Sequence, residues 1–283
     1  WIVLPILVVL MFQLGIELDG RAFLRVARSP RAVAAGLIGQ LAVLPAAAFG
    51  VAALFDLEPV WFLGLMLVAC CPGGSSSNVF TMLSRGDVAL SVTLTALSSL
   101  VTLFTLPALM AFAAHWVSLY AGAEIELPVG RLVVQNIVLL FLPMACGTAF
   151  RRWRPRAAQR VYRAVGRIAF PALMLLAGLF FVQYAQTIVD NFALLGAASA
   201  TLILAATGAG ALLARLFGLG SAVRRTIVIE VGMQNAAQAI AVASSPLVFA
   251  CERMAIPAIV YALVMNIVLL LYLALVRRRA ARG

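Results

Sequence analysis

Nine separate runs of mainly apolar residues leave this chain few folds to choose from. They cover residues 1–19, 32–54, 60–83, 88–116, 131–150, 168–189, 192–217, 226–250 and 254–276. A helix that crosses the hydrocarbon core of a bilayer needs about 20 such residues. In lipid the backbone must satisfy its own polar groups, so spanning segments are helices or closed barrels. Runs of this length are read as helices. Only 11% of the 283 residues are charged, against about 25% in an average globular domain. A soluble domain of this size could not cover its surface with so few charges. The fold class expected is an all-α polytopic membrane protein, a single domain over 1–283.

The net charge of +11 invites a nucleic-acid reading, which the placement of the charge argues against. All 21 basic residues are Arg, and they fall in alternate connections. One side collects Arg21, Arg25, Arg28, Arg31, Arg85, the run from Arg151 to Arg167, Arg215, Arg224, Arg225 and the tail from Arg277, which makes 19; the other side has Arg131 and Arg253. Asp56, Glu58, Glu124, Glu126, Asp190 and Glu252 lie in the Arg-poor connections. Cytoplasmic loops of membrane proteins collect Lys and Arg. The expected orientation therefore has Trp1 outside and the C-terminus cytoplasmic, in a cell (inner) membrane. The stretch from Arg151 to Arg167 is the longest polar link and is expected to be a basic loop. No signal peptide is expected, because the first segment lacks a basic leader and a cleavage site.

Two segments are interrupted. The third is apolar to Cys71 and then reads Pro72-Gly73-Gly74-Ser75-Ser76-Ser77-Asn78; the eighth reaches Glu230-Val231-Gly232-Met233-Gln234-Asn235. Pro and Gly break helices, and polar groups at membrane depth are costly unless they line a site. Both segments are expected to be discontinuous helices entering from opposite sides. That pattern is the mark of an inverted repeat in secondary transporters, pairing segments one to four with six to nine. The fifth segment is left over, and its partner is expected before Trp1. Segments one, five and six contain no polar cluster and form a candidate panel that rocks against the rest.

Glu230 is the acidic residue well inside a span. Gln234, Asn235, Ser77 and Asn78 add neutral oxygens, Ser91 and Thr95 share one helical face, and Gln40 sits within the second segment. A hard cation is held by several such oxygens, with carbonyls from unwound backbone. Half-helix N-termini carry about half a positive charge and suit an anion; they are expected near Ser75–Asn78 and Asn235. Each piece has a plainer reading: serines as caps or close-packing residues, Glu230 as a partner of Arg224 or Arg225, Ser91 and Thr95 as packing residues. Their convergence favours a binding site.

No enzyme constellation is present: no HExxH, no GxSxG and no Lys. Cys70, Cys71, Cys146 and Cys251 match no zinc spacing and read as small packing residues. His115 reads as an interfacial residue, and Trp1, Trp61, Trp116 and Trp153 as interfacial anchors. A channel uses polar breaks too, but one buried carboxylate between two broken helices favours a carrier.

At the two breaks the sequence resembles the bile acid:sodium symporter family. The runs that carry this are Cys-Cys-Pro-Gly-Gly-Ser-Ser-Ser-Asn at 70–78, Ser-Arg-Gly-Asp-Val-Ala-Leu-Ser at 84–91 and Ile-Glu-Val-Gly-Met-Gln-Asn at 229–235. The resemblance implies two crossed, broken helices in a core (about 32–116 and 192–276) and a panel (about 1–19 and 131–189), the last nine segments of a ten-helix fold. It implies two Na⁺ sites. One would use Ser77, Asn78, Ser91, Thr95 and Glu230; the other Gln40, Glu230, Gln234 and the carbonyls of Val231 and Met233. Some relatives have His before the Asn of the last helix, where this chain has Met265-Asn266, so a contact made by that His does not carry over. The function implied is symport of a small organic anion, bile-acid-like or a small carboxylate such as a keto acid or pantoate. Ser75 and Asn235 are the candidate substrate contacts. The alternatives are a proton-linked efflux carrier using Glu230, a metalloid carrier using a thiolate of Cys70 or Cys71, and a non-transporting receptor or channel. The expected partners are the substrate and the bilayer.

Overall fold

The computed structural model describes residues 3–17, 28–121, 129–245 and 249–280. Among them the chain is helical, with no strand beyond one isolated bridge. In chain order the helices are α1 (Val3–Glu17), α2 (Pro30–Leu54), α3 (Pro59–Cys70), α4 (Ser76–Leu83), α5 (Val88–Ala121), α6 (Gly130–Trp153), α7 (Pro155–Gln183), α8 (Ala185–Leu216), α9 (Ser221–Gly232), α10 (Ala236–Ser244) and α11 (Ile256–Ala280). Among the described residues five stretches are long and apolar enough to cross a membrane: Pro30–Leu54, Val88–Tyr120, Gly130–Trp153, Ala185–Leu216 and Arg253–Arg278. The third and eighth segments are each divided into two short helices, as their Pro and Gly residues require.

Proline places several boundaries. Pro30, Pro59 and Pro155 sit at or next to the first helical position, where a missing N–H costs nothing. Two further prolines, Pro45 and Pro143, lie inside α2 and α6. Each removes a hydrogen bond and pushes on the carbonyl four residues back. In both helices the preceding turn widens to a π-turn, over Gly39–Val43 and Ile137–Phe141. There Leu44 N–H reaches the carbonyl of Gly39, and Leu142 N–H that of Ile137. Gln40 lies in the first π-turn, and Gln135 and Asn136 immediately precede the second.

The basic link expected as a loop is helical. α6 runs to Trp153 and α7 starts at Pro155, so residues 155–167 form the first turns of α7. Arg, Ala and Gln are good helix formers, and the arginines can point to water from a helix as well as from a loop. The boundary expected near Asp190 lies instead at Tyr184, between α7 and α8. The Arg21 and Arg25 positions, Glu124 and Glu126 fall outside the described residues.

The main apolar cluster joins α2, α3, α5, α8, α9, α10 and α11, with Trp61, Leu65, Leu67, Leu106 and Met110 among its fully enclosed members. Trp61, expected as an interfacial anchor, is 1% exposed; the guanidinium of Arg253 lies over its ring at 5.1 Å. α1, α6 and α7 pack on one another. A second, smaller cluster ties this group to the rest through Met11 and Leu14 of α1, Leu140 and Met144 of α6, Ala96 and Leu103 of α5, and Ala241 of α10.

Candidate functional site

The two breaks meet. α3 ends at Cys70, Cys71 is extended, and the chain re-enters a helix only after Ser75. α9 ends at Gly232, Met233 is extended, and Asn235 caps α10. The unwound stretches pair antiparallel through Gly73 and Gln234. Gly74 N–H donates to the Met233 carbonyl at 3.1 Å, and Asn235 N–H to the Pro72 carbonyl at 2.9 Å. Each break thus satisfies backbone groups that the other leaves open, as a water-poor interior demands. The phenolic hydroxyl of Tyr261 on α11 donates to the Gly232 carbonyl at 3.1 Å and holds the end of α9.

Glu230 lies one helical turn before this junction and is fully buried. It makes no pair with Arg224 or Arg225, since its side chain points inward. Ser77 donates to its Oε1 at 2.5 Å, Ser91 donates to the same oxygen, and Thr95 donates to Oε2 at 3.1 Å. Three hydroxyls from α4 and α5 therefore ring one carboxylate from α9. Gly73 closes the ring from above. A Cβ there would sit 2.7 Å from Gln40 Nε2 and 3.0 Å from Glu230 Oε2, so only glycine lets the backbone come this close.

A second group surrounds the backbone of Glu230. The side-chain amides of Gln40 and Gln234 each donate to its carbonyl at 3.4 Å, and Gln234 also donates to the Val231 carbonyl at 2.9 Å. The amide oxygens of Gln40, Gln234 and Asn78 are buried with no hydrogen-bond partner. A buried polar atom without a partner costs about 1–3 kcal/mol. Three such oxygens beside a carboxylate, three hydroxyls and the carbonyls of Val231 and Met233 make a donor set of hard oxygen alone. That set fits Na⁺. No group of three or more His, Cys, Asp or Glu able to hold a metal is found among the described residues.

The anion half of the expectation has fewer open donors than the sequence suggests. Ser77 N–H is taken by the Gly74 carbonyl at 2.9 Å and Asn78 N–H by that of Ser75 at 3.3 Å. Asn235 Oδ1 accepts from Gln238 N–H at 3.0 Å and is a true cap. Ser75 is exposed and makes no side-chain cap bond, so capping does not explain it. The N-termini of α4 and α10 nonetheless lie at one junction, and their partial positive charges add there.

Several polar groups near the site escaped the sequence reading. Ser98 continues the face of Ser91 and Thr95, and its hydroxyl accepts from Gly73 N–H at 3.4 Å; the spacing made it legible. Glu17, at the end of α1, accepts from Asn78 Nδ2 at 3.1 Å. Gln135 and Asn136 on α6 are buried, as is Gln238 on α10. Segment five thus carries two buried amides and segment one a part-buried carboxylate; isolated amides and a terminal carboxylate do not stand out until the helices are assembled. His115 is exposed, as is Asn266, whose amide donates to the Ala262 carbonyl at 2.7 Å. Cys70 and Cys71 are buried and free; Cys146 is exposed.

A family profile described as the Sodium Bile acid symporter family matches residues 4–191. Arabidopsis thaliana has a probable chloroplastic sodium/metabolite cotransporter, BASS1, that is 33% identical over 215 residues, covering 76% of this chain and 52% of that protein. The uncharacterized sodium-dependent transporter YocS of Bacillus subtilis is 30% identical over 247 residues, 84% of this chain and 72% of that protein. The human ileal sodium/bile acid cotransporter is 29% identical over 234 residues, 81% and 65% of the two chains. The chain spans about half the length of the chloroplast relatives it matches, 52% and 53% for two of them.

Proposed function

This chain belongs to the Sodium Bile acid symporter family, and from that membership we propose that it is a Na⁺-coupled symporter of a small organic anion working by alternating access. The observation that carries the reading is the environment of Glu230. Its carboxylate is ringed by the hydroxyls of Ser77, Ser91 and Thr95, beside the unpartnered oxygens of Gln40, Gln234 and Asn78. On this reading one Na⁺ takes oxygens from Ser77, Asn78, Ser91, Thr95 and Glu230. A second takes them from Gln40, Glu230, Gln234 and the carbonyls of Val231 and Met233. The ions are co-substrates, and one carboxylate shared by two of them leaves a net positive site for the anion near Ser75 and Asn235.

The proposed topology has nine segments, with α3/α4 and α9/α10 crossing at their breaks, and the C-terminus on the Arg-rich cytoplasmic side of a cell membrane. The proposed moving parts are a core (about 32–116 and 192–276) and a panel (about 1–19 and 131–189). The small cluster around Ala241 is their seam. Na⁺ fixes the half-helices, the anion binds at their N-termini, and the panel rocks to open the site inward. Two Na⁺ with one monoanion carry one net charge, which the membrane potential drives by about 2.3 kcal/mol per 100 mV. The substrate class rests on the net charge of the loaded site and on the two N-termini.

Thermal unfolding of the purified protein in Na⁺, K⁺ and choline tests the ion sites. A ligand bound only by the folded state raises the midpoint by mass action. A Na⁺-specific rise that is lost in Glu230→Gln is expected. A well-folded protein with no Na⁺ response overturns the reading and moves the search to proton-linked exchange.

A further inference from the structure

A cavity of about 670 Å³, lined by neither Glu230 nor the hydroxyls that ring it, lies between the end of α4, α8, the first turns of α9 and the end of α11. Four arginines converge on it: Arg85, Arg215, Arg224 and Arg225. None of the four guanidinium groups is ion-paired among the described residues, and the Nε of Arg225 is buried with no hydrogen-bond partner. Two features of the backbone make this arrangement costly. Arg224 and Arg225 lie in the first turns of α9 (Ser221–Gly232), the end of the helix dipole that repels cations. Arg85 is held at φ 56°, in the left-handed region that non-glycine residues seldom adopt. Arg225 Nη2 donates to the Arg85 carbonyl at 2.7 Å and fixes it there. Orientation in the membrane explains arginines on this side of the protein, but it does not require them to gather around one cavity.

Ser84, Thr207 and Tyr272 add polar groups to the wall, but its α8 side carries an apolar, open stripe. Leu204, Gly208, Ala211 and Arg215 follow one another at spacings of four, three and four along α8 and so share one stripe. The eleven residue-to-residue steps from Leu204 to Arg215 rise about 16 Å. A Cβ on Gly208 would meet nothing within 4 Å. Leu204 is 60% exposed, and Leu212 and Leu216 are 55% and 72% exposed, as expected of a helix that faces hydrocarbon. The groove is cationic at its end beside the helix termini and apolar along the middle of α8.

We infer that this cavity binds an anionic phospholipid, with its phosphate between Arg215 and Arg224 and an acyl chain lying along α8 past Gly208 to Leu204. Guanidinium groups bind phosphate by paired, charge-assisted hydrogen bonds. Basic pockets between membrane helices on the cytoplasmic side are suited to lipid headgroups. A free phosphate ion shares the headgroup chemistry but has no use for the apolar stripe.

The test uses the full chain in neutral detergent, titrated with phosphatidylglycerol, phosphatidylcholine or inorganic phosphate. Thermal midpoint and bound lipid, the latter by native mass spectrometry, are read for wild type and for Arg215→Gln/Arg224→Gln. The expected result is retention of phosphatidylglycerol over phosphatidylcholine, with a midpoint rise that the double variant loses. Its apparent affinity for phosphatidylglycerol should fall at least tenfold, while its midpoint without lipid stays at the wild-type value. A second double variant, Arg152→Gln/Arg160→Gln, removes two charges from α6 and α7 and should leave lipid binding intact. Equal binding of both lipids, an unchanged Arg215→Gln/Arg224→Gln variant, or an equal loss in the second variant would each overturn the inference. A rise with inorganic phosphate as large as that with phosphatidylglycerol would overturn the lipid and leave a free-anion site. These readouts do not involve transport, so they stand or fall apart from Na⁺ coupling.

Discussion

The junction of the two breaks and the seam between α1 and α6 solve opposite packing problems. At the junction the backbone is opened, and hydroxyls, amides and a carboxylate occupy the space. Gly73 approaches Glu230 and Gln40 there because the loop must close over a ring of polar atoms. At the seam the helices stay continuous and the backbone itself closes up. A Cβ on Gly15 would overlap the Met144 carbonyl, and one on Gly147 that of Phe12. The hydroxyl of Thr148 then reaches the Gly15 carbonyl at 3.0 Å, and Arg151 Nη1 those of Ile16 and Glu17 at 2.9 and 3.0 Å. Glycine serves both regions through its missing side chain, once to admit a ring of polar atoms and once to bring two helices into contact, as small residues do in lipid. The difference separates a part that opens its backbone around polar side chains from a part that closes its backbone helix against helix.

That contrast can be broken by pairs of variants. Glu230→Gln should abolish Na⁺-driven uptake in liposomes. It should also remove the Na⁺ stabilisation, about 2.7 kcal/mol at a hundredfold excess over Kd. In K⁺ its midpoint should equal or exceed that of wild type, because a buried charge is replaced by a neutral amide. Gly147→Leu should do the reverse, lowering stability by about 3 kcal/mol through overpacking, read as a fall in the midpoint, while the surviving folded protein keeps its Na⁺ shift. A Gly147→Leu protein that lost the Na⁺ shift selectively would join the two regions into one functional unit. Ser91→Ala should raise the Na⁺ concentration for half-maximal stabilisation about tenfold, the equivalent of one charged hydrogen bond at roughly 1.4 kcal/mol; equilibrium titration of the midpoint reads it. Asn235→Ala should cost about 1 kcal/mol of stability through its lost cap, in Na⁺ and K⁺ alike. The smallest effect belongs to Asn136, whose amide atoms are both buried and unpartnered. Asn136→Leu should raise stability slightly, by roughly a few tenths of a kcal/mol, read as a small rise in the midpoint. A clear fall would mean that the amide is hydrogen-bonded in the membrane.

Legibility differed between these regions for a physical reason. The breaks announce themselves because Pro72, Gly73 and Gly74 interrupt a helix wherever they stand, and Glu230 is conspicuous in an apolar run. The Ser91–Thr95 face follows from a period of 3.6, and extending it by one turn reaches Ser98. Gln135 and Asn136 precede a π-turn that Pro143 sets, yet nothing local says that they face inward. Glu17 reads as the polar end of a segment; only the assembled helices bring its carboxylate within hydrogen-bond reach of Asn78. The helical start of α7 was hidden by its arginines, which a loop and an amphipathic helix accept equally.

The sequence by itself determined that the chain is helical and polytopic, where two of its helices must break, and which residues carry oxygen at those breaks. Those properties follow from local costs: apolar length, missing N–H groups, absent side chains. The tertiary structure decided which oxygens share a centre. It turned Glu230 away from Arg224 and toward three hydroxyls from two other helices. It also gathered four scattered arginines around one groove. Contacts across 139 and 153 residues, as between Glu230 and Ser91 or Ser77, depend on how whole helices pack, and the residues in between do not encode that locally.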